Sequence, residues 1–233
     1  MSSESSFEKL WREKFSQALK CVAGEDVRDR VMRGADELST NASMEEIFAW
    51  SAEAMRRLDS DVNPREAQQI LLECACQYPR AGLQQVRQAY ERTKDTDLAH
   101  QMLQTQFESF LRDTLKLNEA TVQYVVDKGW GLAGIKQGNK IIATKIPKSG
   151  QLEEYLREPD AVRRRRLYCH CPRIRNMVAT DMEMSNTYCY CGAGFYKGVW
   201  EEILQRPVEI EVVSTVLGGD DACTFEIRLP AED

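Results

Sequence analysis

Histidine is nearly missing from this chain of 233 residues: there are two, His100 and His170. That scarcity excludes most hydrolase arrangements built on a histidine base, and no Gly-x-Ser-x-Gly elbow is present. Gly-x4-Gly-Lys-Ser/Thr does not occur, and the one Gly-x-Gly-x-x-Gly, at 129–134, follows a predicted helix and enters a predicted strand, the reverse of the nucleotide-binding context, so it reads as a stretch for close packing or a ligand's approach. Glycine (13) and proline (7) together make about 9% of the residues, below the ~12% of ordinary usage. This excludes a collagen-like repeat and a flexible linker protein. There is no surplus of basic residues: 31 stand against 37 acidic ones, for a net charge of −6. That balance argues against nucleic acid as a partner. No apolar run approaches the roughly 18 residues of a membrane span. The first fifteen residues lack a basic stretch followed by an apolar one, so the expectation is a cytoplasmic chain with no signal peptide and no membrane partner.

The chain does have the makings of a folded core. Hydrophobic residues are 42% of it and charged ones 29%. The length allows one large domain or two small ones. The first half reads as helix. Phe7, Leu10, Trp11, Phe15 and Leu19 recur at steps of three and four, and Val27, Val31, Met32 and Leu38 form a weaker pattern. Ser43 with Glu46 predicts a capping box, and Asn63-Pro64 predicts a helix start that must stop near Tyr78-Pro79. Leu83, Val86 and Tyr90 mark another helix, Asp97 opens a long one, and Asn118 caps a last one ending at Gly129.

At Trp130 the pattern changes. Two short β-runs are predicted around Gln137-Gly138-Asn139, then a short helix at 152–157. From Arg166 the pattern predicts strand, loop, and strand again at 188–191. A helix over 192–205 follows, and a hairpin closes the chain around Gly218-Gly219-Asp220-Asp221. The fold class is therefore α+β. A helical region over 1–128 precedes an antiparallel sheet with packed helices over 129–233, with no flexible linker between them.

Eight cysteines are about 3.4% of the chain, too few for a disulfide scaffold, and five fall after residue 168. Cys169 and Cys171 lie in Tyr-Cys-His-Cys-Pro, Cys189 and Cys191 in Tyr-Cys-Tyr-Cys-Gly, and Cys223 stands near the end. On a strand, residues i and i+2 share a face about 6.6–7 Å apart, so two neighbouring strands would place four sulfurs on one patch. Zinc needs Zn–S distances of about 2.3 Å, which strand bends at Pro172 and Gly192 would help to reach. In tight loops His170 could replace one cysteine. Three readings stay open: a thiolate metal site, zinc first and an iron–sulfur cluster second; a redox pair; and reduced cysteines packed as small hydrophobes. Cys191 precedes a predicted helix, whose positive end favours a thiolate. The run Arg163–Arg166, with Arg173 and Arg175, would offset thiolate charge or form a solvated helix face. Cys21, Cys74, Cys76 and His100 read as structural.

Residues 191–229 carry further patterns: Cys-Gly-Ala-Gly-Phe-Tyr-Lys-Gly-Val-Trp-Glu-Glu-Ile-Leu, then Pro-Val-Glu-Ile-Glu-Val-Val, then Gly-Gly-Asp-Asp-Ala-Cys-Thr-Phe-Glu-Ile. This stretch resembles the end of the 4-vinyl-reductase-like domain, and the whole chain resembles a group of cysteine-bearing prokaryotic proteins. The resemblance implies an α+β small-molecule-binding module of the kind found in aromatic-responsive regulators and in tetrapyrrole- or methanogen-associated proteins, some with a structural zinc. It also implies that Cys223 is a metal ligand. The family's other cysteine falls at Thr215, a departure from the pattern.

The functional expectation is a small-molecule-binding or sensory protein with zinc held by some of Cys169, Cys171, Cys189, Cys191 and Cys223. Any output would pass through a partner or a homodimer. One alternative is a metal-dependent hydrolase with His170, Asp181 or Glu183 as base. The other is a thiol redox protein using the Cys-x-Cys pairs.

Overall fold

Side-chain caps start the helices where the sequence offers them. Ser43 Oγ accepts from the Glu46 N–H at 3.2 Å while Glu46 accepts from the Ser43 N–H at 2.7 Å, completing the expected capping box. Asn63 Oδ1 accepts from Glu66 N–H at 3.0 Å, with Pro64 as the first helical residue. Asn118 caps its helix in the same way. In this computed structural model, which describes residues 3–38, 42–148, 150–177 and 183–231, the helices before the sheet are α1 (Ser3–Ala23), α2 (Glu25–Val31), α3 (Met44–Asp61), α4 (Pro64–Glu73), α5 (Arg80–Thr93), α6 (Thr96–Ser109) and α7 (Glu119–Asp127). A π-turn, Phe110–Thr114, extends α6. Then come β1 (Ile135–Gln137), β2 (Lys140–Thr144), α8 (Leu152–Arg157), α9 (Ala161–Tyr168) and α10 (Pro172–Met177). A 3-10 turn (Asn186–Cys189), α11 (Tyr190–Leu204), β3 (Glu209–Ser214) and β4 (Thr224–Arg228) complete the described elements. The chain is α+β, as its patterning predicts.

Two compact units emerge: Met1–Cys76 with Cys171–Gly194, and Gln77–His170 with Phe195–Asp233. The change of character near 128–130 is visible in the elements, since α7 ends at Asp127 and β1 begins at Ile135. The compact units divide the chain along other lines, because segment 171–194 returns to the N-terminal helices.

In the first unit α1 packs on α4, α10 on α3, and the 3-10 turn on α4. Trp11, Phe15, Ala18 and Leu19 of α1 are buried with Phe48, Met55 and Leu58 of α3 and Ile70 and Leu71 of α4. Leu10, expected on the inner face, is 53% exposed. At 100° per residue the inner stripe runs through residues 8, 11, 15 and 18, so position 8 replaces position 10 and a glutamate enters the core.

In the second unit the strands form one antiparallel sheet in the order β1-β2-β4-β3. Ile141 and Ala143 of β2 stand opposite Ile227 and Phe225 of β4, all buried on one face. Helix α11 meets that face, where the Tyr196 and Phe225 rings lie 5.2 Å apart. Gly131 has φ of +113°, and a Cβ there would fall 2.1 Å from the Phe107 ring. The glycine segment after Trp130 therefore serves close packing.

One element prediction fails. Neither Cys-x-Cys pair lies on a strand. Asp160 Oδ1 accepts from Arg163 N–H at 2.7 Å and nucleates α9, so 161–168 winds into helix. Ser185 Oγ likewise accepts from Thr187 N–H at 3.2 Å at the start of the 3-10 turn that runs into α11. These caps outweigh the tyrosine content that suggests strands.

Candidate functional site

The first unit holds a polar cluster inside its core, built from Glu8 and Trp11 of α1, Cys74 at the end of α4, Cys171 and Arg173 at the start of α10, Tyr188 of the 3-10 turn and Cys191 of α11. Arg173 is fully buried. Its guanidinium pairs with the carboxylate of Glu8, itself buried, and Nη1 donates to the Tyr188 hydroxyl at 3.1 Å. The guanidinium carbon lies 4.0 Å from the centre of the Trp11 ring, a cation–π contact shielded from water. Trp11 also packs on Tyr188 with ring centres 5.6 Å apart. Burial works against the charge of Arg173, but Tyr188, Glu8 and Cys171 outweigh it and hold the guanidinium above the usual arginine range. Arg173 Nε and Trp11 Nε1 have no hydrogen-bond partner among the described residues.

Cys171 and Cys74 lie near this cation. The half-buried Cys171 Sγ lies 3.4 Å from the Tyr188 hydroxyl. With Arg173 donating to that oxygen, the phenol proton is available to sulfur. Burial pushes the Tyr188 phenol well above its usual range, and Cys171 and Cys191 add to the shift while Arg173 opposes it. Cys191 Sγ donates to the carbonyl oxygen of Cys74 at 3.5 Å. Cys74 is buried, with its own Sγ on the Ile70 carbonyl at 3.3 Å. Burial pushes its thiol well above the usual range, Cys191 adds to that, and Lys14 and Arg173 oppose it. Lys14 Nζ donates to the Ala75 carbonyl at 2.6 Å, which tethers α1 to the end of α4.

Gly194 makes this approach possible. A Cβ there would fall 2.1 Å from the Leu72 carbonyl oxygen and 2.8 Å from Ala75 Cβ. Only glycine lets the first turns of α11 lie on the last turn of α4, and this contact brings Cys191 to Cys74.

The five expected ligands divide between the units: Cys171, Cys189 and Cys191 in the first, Cys169 and Cys223 in the second. Among the described residues, no three His, Cys, Asp or Glu side chains are gathered as a metal ion requires. All eight cysteines are thiols.

In the second unit Cys169 is the buried C-cap of α9. The Tyr168 hydroxyl accepts from Cys223 N–H at 2.9 Å and donates to the Lys145 carbonyl at 2.7 Å, joining the end of β2 to the start of β4. His170 Nε2 lies 2.7 Å from the Ile146 carbonyl. His100 Nε2 lies 3.1 Å from the Gly134 carbonyl and its ring stacks on Trp200, a structural role. Thr215 is buried and shapes the hairpin turn: its Oγ1 accepts from Gly218 N–H at 3.0 Å. Arg164 pairs with Asp221 at 3.0 Å, Arg165 donates to the Gly219 carbonyl at 2.8 Å, and Arg163 reaches Glu158 at 3.4 Å. The arginine run thus ties α9 to the hairpin turn, and charge compensation beside thiols comes from Arg173. Of the bases considered for a hydrolase, Glu183 is exposed and Asp181 lies outside the described residues. An open depression of about 380 Å³ is lined by Gly150, Glu153, Glu154, Arg157, Glu158 and Pro159, four of them charged.

Two members of the cluster, Glu8 and Tyr188, have no site reading in the sequence, and Cys74, which reads as structural, is buried at the end of α4. Glu8 carried a usable signal. An acid spaced i, i+3, i+7 with Trp11 and Phe15 sits on the apolar stripe and demands a buried cation.

Comparison with known proteins places the C-terminal third in context. A model for a family of unknown function, DUF6144, matches residues 154–232. The relative named Uncharacterized protein MJ0745, from Methanocaldococcus jannaschii, is 35% identical over 49 residues, which are 21% of this chain and 27% of that protein. The chain thus spans about a quarter of the length of this curated relative. No solved structure matches. No described helix is long and apolar enough to cross a membrane.

Proposed function

We propose that this is a sensory protein whose first unit carries a thiol centre for a soft, thiophilic ion, with zinc bound by Cys171, Cys189 and Cys191. The observation that carries the reading is Arg173: a fully buried guanidinium, fixed by Glu8 and Tyr188, with Cys171 beside it and Cys191 beside its partner Tyr188. Three thiolates and Zn2+ sum to −1, and a fixed cation offsets that charge where solvent does not reach. Tetrahedral zinc needs the three sulfurs within about 4 Å of one another, so its binding requires side-chain and local backbone shifts at these cysteines. Cysteine-rich zinc centres of this kind suit a reducing compartment, the cytoplasm. The likeness of 191–229 to the 4-vinyl-reductase-like domain supports a small-molecule input to the C-terminal module. The homodimer remains the route by which a chain without a DNA-reading motif would pass on a signal.

Zinc content by native mass spectrometry, on untagged reduced protein, tests the reading. One zinc per chain in the wild type, lost in the triple variant C171S/C189S/C191S, is the expected result. A metal-free wild type after incubation with excess zinc overturns it. Visible absorbance from a coloured preparation would assign the same thiolates to an iron–sulfur cluster instead.

A further inference from the structure

Cys74 lies outside the proposed zinc ligands, yet Cys191 is turned toward it. Two independent features hold that approach: the Cys191 Sγ contact to the Cys74 carbonyl at 3.5 Å, and the glycine at 194 that seats α11 on the end of α4. A backbone carbonyl oxygen lies about 2.4 Å from its own Cα by standard geometry, so the Cys191 sulfur is within about 6 Å of Cys74 Cα. Closing a disulfide from there takes a χ1 turn of Cys74 away from the Ile70 carbonyl and a small local shift. We propose that Cys74 and Cys191 are a redox dithiol that closes to a disulfide between the end of α4 and the start of α11 in the presence of a low-molecular-weight disulfide.

Exposure orders the steps. Cys191 is half-buried and Cys74 is 2% exposed, so Cys191 meets the oxidant first. Its thiolate attacks one sulfur of RS–SR. That S–S bond breaks, RS− leaves and takes a proton as RSH, and a mixed disulfide remains on Cys191. Cys74 then gives up its proton and attacks the Cys191 sulfur, expelling the second RS−, which is protonated in turn. Two protein thiols and RS–SR become one protein disulfide and two RSH. The protein loses two electrons and the small disulfide gains two. Competing partners are less well placed. The Cys171 sulfur is turned to the Tyr188 hydroxyl, and Cys189 is only two residues from Cys191, a spacing that strains a disulfide.

The test uses full-length, chelator-treated protein equilibrated with oxidised glutathione, alkylated, digested with trypsin and mapped by mass spectrometry. Cys76 shares a tryptic peptide with Cys74, and Cys189 shares one with Cys191, so the C76S/C189S variant carries the assignment. The expected result is one cross-linked peptide pair in most chains of both wild type and C76S/C189S. It is lost in C74S and in C191S, each checked for native far-UV circular dichroism. Two singly glutathionylated peptides without a cross-link in C76S/C189S overturn the proposal. So does a wild-type cross-link that persists in C74S or C191S. Because the protein is metal-free here, failure of the zinc reading leaves this result untouched. Zinc retained by C74S, in turn, reports on the zinc reading alone.

Discussion

Arg173→Met is the perturbation that loads the candidate site most heavily. The substitution keeps a long apolar stem but deletes a fully buried cation. Glu8 is then left charged and buried without its partner, the Tyr188 hydroxyl loses a donor at 3.1 Å, and Trp11 loses the guanidinium 4.0 Å from its ring centre. Removing one member of a buried ion pair typically costs about 3–5 kcal/mol. A chain of this length shifts its melting temperature by about 2–4 °C per kcal/mol, so the drop is roughly 6–20 °C. The cycle with Glu8→Leu isolates the pair: in E8L/R173M no uncompensated charge remains, and at least half of the lost stability returns. Chemical denaturation of the four proteins, followed by tryptophan fluorescence, reads the coupling. Additive losses from the two single substitutions, or a cost below about 1 kcal/mol for R173M, would refute the argument that Arg173 and Glu8 act as one buried unit.

Gly194→Ala pushes α11 off α4, with an expected cost of about 1–3 kcal/mol by calorimetry and a lower yield of the 74–191 cross-link; unchanged stability and yield would mean that the close approach does not seat Cys191. Tyr168→Phe removes the hydroxyl that bridges Lys145 and Cys223, costing about 1–3 kcal/mol in urea unfolding and loosening amide protection at Cys223. Burial holds the His100 pKa below its usual value of 6.5, despite help from the Gly134 carbonyl. As pH falls below about 6.5 the unfolded chain takes the proton first, so stability declines with acidification and is regained as pH rises. His100→Gln flattens that part of the stability–pH curve, which denaturation midpoints between pH 7.5 and 5.5 measure.

Most of the fold was legible because its signals are local. Ser43, Asn63 and Asn118 each offer a cap at the right spacing, and the Gly-Asp turn and alternating strands of the last hairpin follow period two. The failure came at the cysteine segments. Short runs rich in tyrosine and cysteine satisfy a strand pattern, and one capping residue at Asp160 or Ser185 overrides it. Of the candidate site, Cys171, Cys189 and Cys191 stand out by spacing, and Arg173 by its place two residues after Cys171. Its actual members depend on long-range packing: Glu8 and Arg173 are 165 positions apart, and Cys74 and Cys191 are 117. Spacing along the chain carries no information about such pairs, and Cys223 and Cys169 looked equivalent to the others for the same reason.

X-ray absorption at the zinc edge of zinc-loaded, reduced protein tests the central claim most directly. The account predicts a first shell dominated by sulfur at about 2.3 Å, with the sulfur number falling when Cys171 or Cys191 is replaced by serine. A shell of only nitrogen and oxygen at about 2.0–2.1 Å, unchanged by those substitutions, would contradict it.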